Sequence, residues 1–415
     1  MNAAIKQWGA FVIMHSVQQT LTINVKAVII YATFQLDYGV PMKPFLRKCA
    51  LNISSKHTAA ALLFSIAAVT ATVRVNAAPL PLHVQGNQLL NIDDQPVLLR
   101  GVDCASMEYT SNGEGHILTT VTTAIKDWHA NIIRLPLSQD RWFGKGPEQT
   151  DGGVAYRALV ARIVSTISSL NSYVILDDHW SDEDQWGKNI GQHLMPDRNS
   201  ITFWKSFAKV YANNSAVIFD LYNEPHDVSW KIWRDGGPIT ETDQQKGTKI
   251  SYDAVGLQTI LNTIRSTGAE NVALAGGLNW AYDLTGILNG YALSDPTGNG
   301  VMYANHYYPF KGITVKQWIA DMVAATAKVP VIVSEFGTSP TDKGAKGNRW
   351  ILETLNAMQE HHWNWTAWDM HPSAGPDLIT DWSYTPTPYF GVFVKDALAG
   401  KLPPYVADAN KPAGN

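Results

Sequence analysis

The sequence predicts an α/β fold, a (β/α)8 TIM barrel with a small N-terminal β-hairpin. Short apolar runs rich in β-branched residues recur from position 97 onward, and most are followed by a segment with helical periodicity. Strands that alternate with helices form parallel sheets, because each crossover returns the chain to the same edge. Eight such units close most economically as a barrel, although the alternation also fits a doubly wound sheet.

Each element of this fold has its own local signal. Segments 82–85 and 88–92 flank the turn dipeptide Gly86-Asn87, which predicts a hairpin that closes the bottom of the barrel. The predicted barrel strands are Val97–Asp103, Asn131–Leu137, Tyr173–Asp177, Val217–Tyr222, Asn271–Ala275, Val301–Asn305, Val329–Ser334 and Trp365–Asp369. The predicted helices are Leu118–Trp128, Ala155–Leu170, Ile201–Ala212, Asp253–Ser266, Val315–Ala327 and Arg349–Glu360.

The N-terminal region has the composition of a targeting segment. Basic residues between Lys43 and Lys56 precede an apolar run from Thr58 to Val73, and small residues follow up to Ala77. This order is typical of a signal peptide, so we predict cleavage after Ala77 and a secreted or periplasmic protein. A short transmembrane anchor is the alternative interpretation of the same run.

These signals divide the chain into four parts. Residues 1–41 show no clear periodicity and form an upstream extension of unclear status, and 42–77 are the signal peptide. The barrel domain occupies 78–402, and the Pro/Ala/Asn-rich segment 403–415 is a flexible tail. We expect no stable membrane association once the leader is removed, and the sequence leaves the oligomeric state open.

Composition excludes several classes of protein. The 415-residue chain has a formal net charge of −4, so it lacks the basic excess expected of a nucleic-acid binder. Its two cysteines, Cys49 and Cys104, support neither a zinc site nor a disulfide framework. Fifteen tryptophans fit a protein that stacks on sugar rings, and they fit a large barrel core equally well.

Two glutamates stand where strands end. Glu224 follows the apolar run Val217–Leu221 and precedes Pro225, which biases the backbone of Glu224 toward extended geometry and should end the strand. Glu335 follows the β-branched run Val329–Ser334. Active sites of such barrels lie at the C-terminal ends of the strands, so both carboxylates are predicted to face one cleft. Hydrolysis of a glycosidic bond needs such a pair, one acid for the leaving oxygen and one carboxylate for the anomeric carbon.

The motifs around these glutamates resemble those of glycoside hydrolase family 5, the family of many cellulases. The similarity covers about 96–398, and its most specific parts are Asn223-Glu224-Pro225 and Ser334-Glu335-Phe336-Gly337. It implies that Glu224 is the general acid/base and Glu335 the nucleophile. Carboxyl groups about 5–5.5 Å apart are then expected, as in retaining enzymes. No metal or organic cofactor is required.

The resemblance also implies roles for six further residues. Arg134 would hold the nucleophile ionised, Tyr308 would contact it, and His306 would orient the acid/base. Asn223 would bind the sugar 2-hydroxyl and His179 other hydroxyls, while Trp368 would form the aromatic platform at the cleavage subsite. Five other tryptophans are candidate platforms: Trp186, Trp230, Trp233, Trp280 and Trp382.

The predicted substrate is a β-linked polysaccharide or oligosaccharide, first of all β-1,4-glucan cleaved by endo action. Loop 181–196 and segment 369–376 depart from the common family pattern, so the substrate stays open. A β-mannanase, a β-1,3- or mixed-linkage glucanase and an exo-β-glucosidase are alternatives on the same site. A non-catalytic sugar-binding barrel is the alternative from another class.

Overall fold

The computed structural model describes residues 78–243, 246–342 and 348–405. Among these residues, eight parallel strands close into a barrel with helices around it, which confirms the predicted fold. The upstream extension, the predicted signal peptide and most of the predicted tail lie outside the described residues, so these boundaries stay predictions. No helix of the described ranges is long and apolar enough to cross a membrane.

Two strand sets lie outside the barrel wall. The N-terminal hairpin, β1 (Leu82–Gln85) and β2 (Gln88–Asn91), is antiparallel as predicted. A second antiparallel hairpin comprises β7 (Gly237–Thr242) and β8 (Lys249–Ala254). The barrel strands are β3 (Arg100–Asp103), β4 (Ile132–Ser138), β5 (Tyr173–Trp180), β6 (Val217–Asp220), β9 (Ala273–Gly276), β10 (Val301–Tyr307), β11 (Val331–Phe336) and β12 (Asn364–Ala367). They pair in the order β10-β11-β12-β3-β4-β5-β6-β9, and β9 pairs with β10 to close the barrel.

Six of the following helices match the segments predicted from periodicity, and the other three were not predicted. The helices are α1 (Ile117–Lys126), α2 (Gln139–Trp142), α3 (Val154–Ser169), α4 (Arg198–Tyr211), α5 (Trp230–Asp235), α6 (Leu257–Arg265), α7 (Val315–Thr326), α8 (Arg349–Glu360) and α9 (Gly391–Leu398). Side-chain caps explain several starts. Asp197 accepts hydrogen bonds from the backbone of Asn199 and Ser200 at the beginning of α4, and Thr314 caps α7 in the same way.

Alternation along the strands separates an outer core from the barrel interior. On β4, Ile133, Leu135 and Leu137 pack in the cluster between sheet and helices, whereas Ile132 belongs to a second cluster inside the barrel. Arg134 lies one step further along the inward face, because side chains two residues apart share one side of a strand. The hairpin residues Leu82 and Leu89 join the interior cluster and cover the bottom of the barrel.

Several predicted boundaries were wrong. The first barrel strand begins at Arg100, three residues later than predicted. The helix predicted from Asp253 begins at Leu257, because β8 continues through Ala254 with alternating burial of Tyr252 and Ala254. The hairpin β7–β8 was not predicted from the sequence.

Candidate active site

All eight predicted site residues come together at the C-terminal end of the barrel. Arg134, His179, His306 and Glu335 lie on the strands β4, β5, β10 and β11. The other four follow directly after β6, β10 or β12: Asn223, Glu224, Tyr308 and Trp368. An unbroken series of side-chain contacts links all eight.

Glu335 is held by two donors in a nearly closed environment. Arg134 Nη1 lies 2.6 Å from Glu335 Oε1, and the Tyr308 hydroxyl donates to Oε2 at 2.8 Å. Only 4% of Glu335 is exposed. Both bonds fix the position of this side chain.

Glu224 has a different environment. Its Oε1 lies 2.9 Å from His306 Nδ1, and His306 Nε2 lies 3.0 Å from Ser334 Oγ. Burial raises the pKa of Glu224, which favours its protonated form, and burial lowers the pKa of His306 to about 3, so this imidazole is neutral. Ser334 can donate its hydroxyl proton to Nε2, which leaves the Nδ1 proton for Glu224. The backbone of Glu224 has a φ of +46°, a left-handed conformation that is strained for a residue with a side chain, so the extended geometry predicted for Glu224 was wrong.

The two carboxylates face each other closely. One oxygen of Glu224, one oxygen of Glu335 and one nitrogen of His306 all lie within 4.8 Å of one another. Inverting enzymes separate the carboxyl groups by about 6.5–9.5 Å to seat a water between them. The facing oxygens of Glu224 and Glu335 are closer to each other than that.

Arg134 is completely buried and contacts four carboxylates. Besides Glu335, it reaches Asp103 at 3.3 Å, Asp177 at 3.0 Å and Asp220 at 3.1 Å. Burial raises the pKa of all three aspartates, and that of Asp177 reaches about 7. The charge of Arg134 acts in the opposite direction and lowers each of these pKa values. One guanidinium cannot balance four charges, so this cluster retains protons near neutral pH. The sequence analysis did not foresee these aspartates as part of the site.

His179 and Asn223 form a second layer of fixed polar groups. His179 Nδ1 lies 2.5 Å from Asp177 Oδ2, and burial lowers the pKa of His179 to about 3. Asn223 Oδ1 accepts from Arg134 at 2.9 Å, and its amide nitrogen donates to Gln192 Oε1 at 2.7 Å. Gln192 also donates to the carbonyl oxygens of Asn223 and Glu224, so it fixes the backbone that carries both residues. Nothing in the sequence pattern indicated Gln192.

Aromatic side chains surround the opening above these groups. Trp368 stacks on His179 with ring centroids 5.4 Å apart and planes 13° apart. Beside Glu224 lies a cavity of about 490 Å³, lined by Glu224, Asn279, Trp280, Tyr308, Phe310, Lys311 and Ile313. Trp280 stacks on His226 and Phe310 stacks on Tyr308, and the two residues remain 37% and 64% exposed.

The candidate platforms divide in the structure. Trp280 lines the cavity, whereas Trp233 is fully buried and donates its indole N–H to the Gly276 carbonyl oxygen, so its proposed platform role was wrong. Trp230 packs edge-on against Trp233, and Trp382 stacks on His116. A tryptophan that follows β6 looks the same in the sequence whether it is buried or exposed, because tertiary packing alone decides which it is.

Fold and site together define a (β/α)8 barrel with a fixed pair of carboxylates at the C-terminal ends of its strands. Residues 90–374 match the model of the cellulase family, glycosyl hydrolase family 5. The chain therefore belongs to glycosyl hydrolase family 5, as its motifs predicted.

Curated relatives are similar at low identity. An endoglucanase of Microbulbifer sp. (strain ALW1) is 26% identical over 297 residues, which cover 69% of this chain and 50% of the relative. Endoglucanase E-5 of Thermobifida fusca is 25% identical over 295 residues, covering 69% and 55% respectively. The chain thus spans about half the length of these relatives.

Solved structures share the fold. A β-glucanase from Saccharophagus degradans is 22% identical with a TM-score of 0.62, covering 79% of this chain and 95% of that one. The same enzyme has been solved in complex with cellotetraose, with a TM-score of 0.61. The catalytic domain of the Thermobifida fusca endoglucanase has a TM-score of 0.54 at 20% identity, covering 77% and 97%.

Proposed function

We propose that this protein is a retaining glycoside hydrolase that cleaves β-1,4-glucan by endo action, with Glu335 as nucleophile and Glu224 as acid/base. The observation that supports this most is the close pair of carboxylates in opposite environments. Glu335 accepts hydrogen bonds from Arg134 and Tyr308, and burial raises the pKa of Glu224. Pairs of titratable groups whose surroundings differ in this way divide into acid and nucleophile.

The first step forms a covalent glycosyl-enzyme. An oxygen of Glu335 donates an electron pair to the anomeric carbon, while the bond from this carbon to the glycosidic oxygen breaks. The departing oxygen keeps that electron pair and takes the proton of Glu224. The residues around Glu335 hold the attacking oxygen in place, and positioning of this kind supplies much of the rate.

The second step releases the sugar. Glu224, now ionised, takes a proton from water, and the water oxygen attacks the anomeric carbon. The ester bond to Glu335 breaks, and its electron pair returns to the carboxylate. Two inversions at one carbon retain its configuration. In this proposal Asn223 binds the 2-hydroxyl, in exchange for one of its present bonds to Gln192 or His179.

The substrate proposal rests on the aromatic cleft and on the relatives. Trp280 and Phe310 line the cavity beside Glu224, and Trp368 stacks on His179 of the site; partly exposed aromatic rings of this kind suit the axial C–H surfaces of β-linked glucose. The curated relatives bear the name endoglucanase, and one neighbouring β-glucanase has been solved with cellotetraose.

Reducing-sugar release tests the proposal. Wild type, Glu335→Gln and the control Glu270→Gln, which alters an exposed carboxylate, would be assayed on β-1,4-glucan, mannan, mixed-linkage glucan and β-1,3-glucan. Release of oligosaccharides from β-1,4-glucan that is lost only in Glu335→Gln is the expected result. Cleavage of mannan alone would keep the mechanism and replace the substrate. Inactivity on every polymer and on aryl β-glucosides would support a sugar-binding barrel instead.

We also propose export through the segment 42–77, based on its basic and apolar order. N-terminal sequencing of the protein recovered from a bacterial host tests this. A mature chain that begins at Ala78 in the periplasm or medium is expected. An uncleaved chain in the membrane fraction would favour the anchor.

A further inference from the structure

A second group of metal-binding side chain types lies outside the catalytic residues. Loop 181–197, which follows β5, contributes Glu183 and His193, and the hairpin strand β7 contributes Glu241. One donor atom of each lies within 4.8 Å of the other two. Imidazole Nδ1 contacts Glu241 Oε1 directly and lies 3.7 Å from Glu183 Oε1. The side chains of all three residues are at most 9% exposed.

Each of the three side chains has an inner atom, the donor that lies within 4.8 Å of the other two, and an outer atom, its second polar atom. Each outer atom already makes a hydrogen bond. His193 Nε2 lies 2.7 Å from the carbonyl oxygen of Asn189, so it carries the proton and Nδ1 can present its lone pair. The Asn189 side chain donates to Glu183 Oε2 at 2.7 Å, and the Leu194 N–H donates to Glu241 Oε2 at 3.0 Å. Histidines that bind metals are held in this way, by donation from the second nitrogen to a carbonyl or carboxylate.

The inner atoms, by contrast, are not satisfied. Glu183 Oε1 is buried without a hydrogen-bond partner, although the residue is only 2% exposed. A buried carboxylate oxygen without a partner is costly. It lies within 4.8 Å of a second carboxylate oxygen, that of Glu241, and with the imidazole proton on Nε2 the facing Nδ1 has no proton to give to either oxygen. A cation between the three groups would satisfy every inner atom at once.

We propose that Glu183, His193 and Glu241 bind one divalent transition-metal ion, Zn²⁺ in the first place. Two carboxylate oxygens and one imidazole nitrogen are donors that suit zinc, with water as the fourth ligand. Ca²⁺ and Mg²⁺ prefer sites made of oxygen alone, so the imidazole selects against them. The catalytic mechanism above does not use this ion.

The ion would connect the hairpin β7–β8 to the active site. Its ligand His193 follows Gln192, whose amide bonds the side chain of Asn223 and the carbonyl oxygen of Glu224. Metal binding would thus fix loop 181–197 in the conformation that holds these two catalytic-site residues. The expected role is structural, because the ion would act on these residues through Gln192.

Calorimetric titration of the chelator-treated protein with ZnCl₂ tests the site. One equivalent of Zn²⁺ should bind in this titration. In thermal unfolding at a free Zn²⁺ concentration 100 times Kd, the Tm should rise by about 5 °C, because a ligand that binds the native state stabilises it by mass action. Mg²⁺ and Ca²⁺ at the same concentration should leave the Tm unchanged. The Glu241→Gln variant keeps an acceptor for Leu194 but loses the charge, so its Tm should not respond.

Two further variants decide where an ion binds. Glu224, His306 and Glu335 also bring donor atoms within 4.8 Å, so Glu335→Gln separates the two places. It should still bind one equivalent, as should the exposed control Glu270→Gln. Binding that survives in Glu241→Gln and disappears in Glu335→Gln would overturn the proposal. So would a wild-type protein that binds neither Zn²⁺ nor Mn²⁺, which would leave His193 as a proton bridge between two carboxyls.

Discussion

Replacing Arg134 with methionine removes the guanidinium that contacts Asp103, Asp177, Asp220 and Glu335, while it keeps most of the side-chain volume. Removing one partner of a buried ion pair costs about 3–5 kcal/mol, because a charge is left without compensation. A carboxyl can avoid that charge by binding a proton. For an ordinary carboxyl this costs about 4 kcal/mol at pH 7 and about 1 kcal/mol at pH 5.

The pH dependence follows from the direction of the pKa shifts. Arg134 lowers the pKa of Asp103, Asp177 and Asp220, so its loss raises these values further above those of the unfolded chain. The native variant then binds more protons than its unfolded state, and its stability falls as pH rises, by about 1.4 kcal/mol per pH unit for each extra proton. We expect the free energy of unfolding of Arg134→Met to lie about 4 kcal/mol below that of wild type at pH 7, and about 1 kcal/mol below it at pH 5.

Urea unfolding of wild type and Arg134→Met at pH 5, 6 and 7 measures this deficit. The matched control is Arg162→Met, which alters an exposed arginine on α3. A variant that is unfolded at pH 7 should regain its structure at pH 5. A deficit below about 1 kcal/mol, or one that does not change between pH 5 and 7, would refute the reasoning, because no buried carboxyl would then depend on Arg134.

Three further predictions concern activity. Lys311 lowers the pKa of Glu224, so Lys311→Met should move the alkaline limb of kcat/KM to higher pH, and an unchanged limb would contradict this. Trp280→Ala should raise KM for cellotetraose by up to about 10-fold with kcat little changed, because stacking contributes about 0.5–1.5 kcal/mol. A fall in kcat as large as the rise in KM would argue against a binding role for Trp280. Tyr308→Phe removes a hydrogen bond to Glu335 and should lower kcat/KM by about 10- to 100-fold, whereas full activity would exclude a catalytic contribution of this hydroxyl.

The strands and helices could be predicted because their signals are local. Apolar runs with a carboxylate at the end marked β6 and β11, and all six predicted helices occur in the structure. The hairpin β7–β8 was missed because its strands are largely exposed, and Tyr252 and Ala254 are the buried residues of β8. Such strands carry little of the apolar pattern on which the prediction depended.

The site was predictable where a motif surrounds the residue. Glu224 and Glu335 stand in short specific motifs, whereas Gln192 and Lys311 stand in irregular loops whose positions only the folded chain fixes. Asp220 had a signal of its own, since it interrupts the apolar run of β6 on the inward face. Asp220 contacts Arg134, which lies 86 residues away in the sequence, and no local sequence pattern predicts a contact over that separation.

The configuration of the first released sugar tests the central claim most directly. Cello-oligosaccharide hydrolysis followed by proton NMR, before mutarotation mixes the anomers, shows which anomer forms. The account predicts the β-anomer first, with no release by Glu335→Gln, because attack by one carboxylate and then by water inverts the same carbon twice. Early appearance of the α-anomer would mean that water attacks directly, and the assignment of Glu335 as nucleophile would then be wrong.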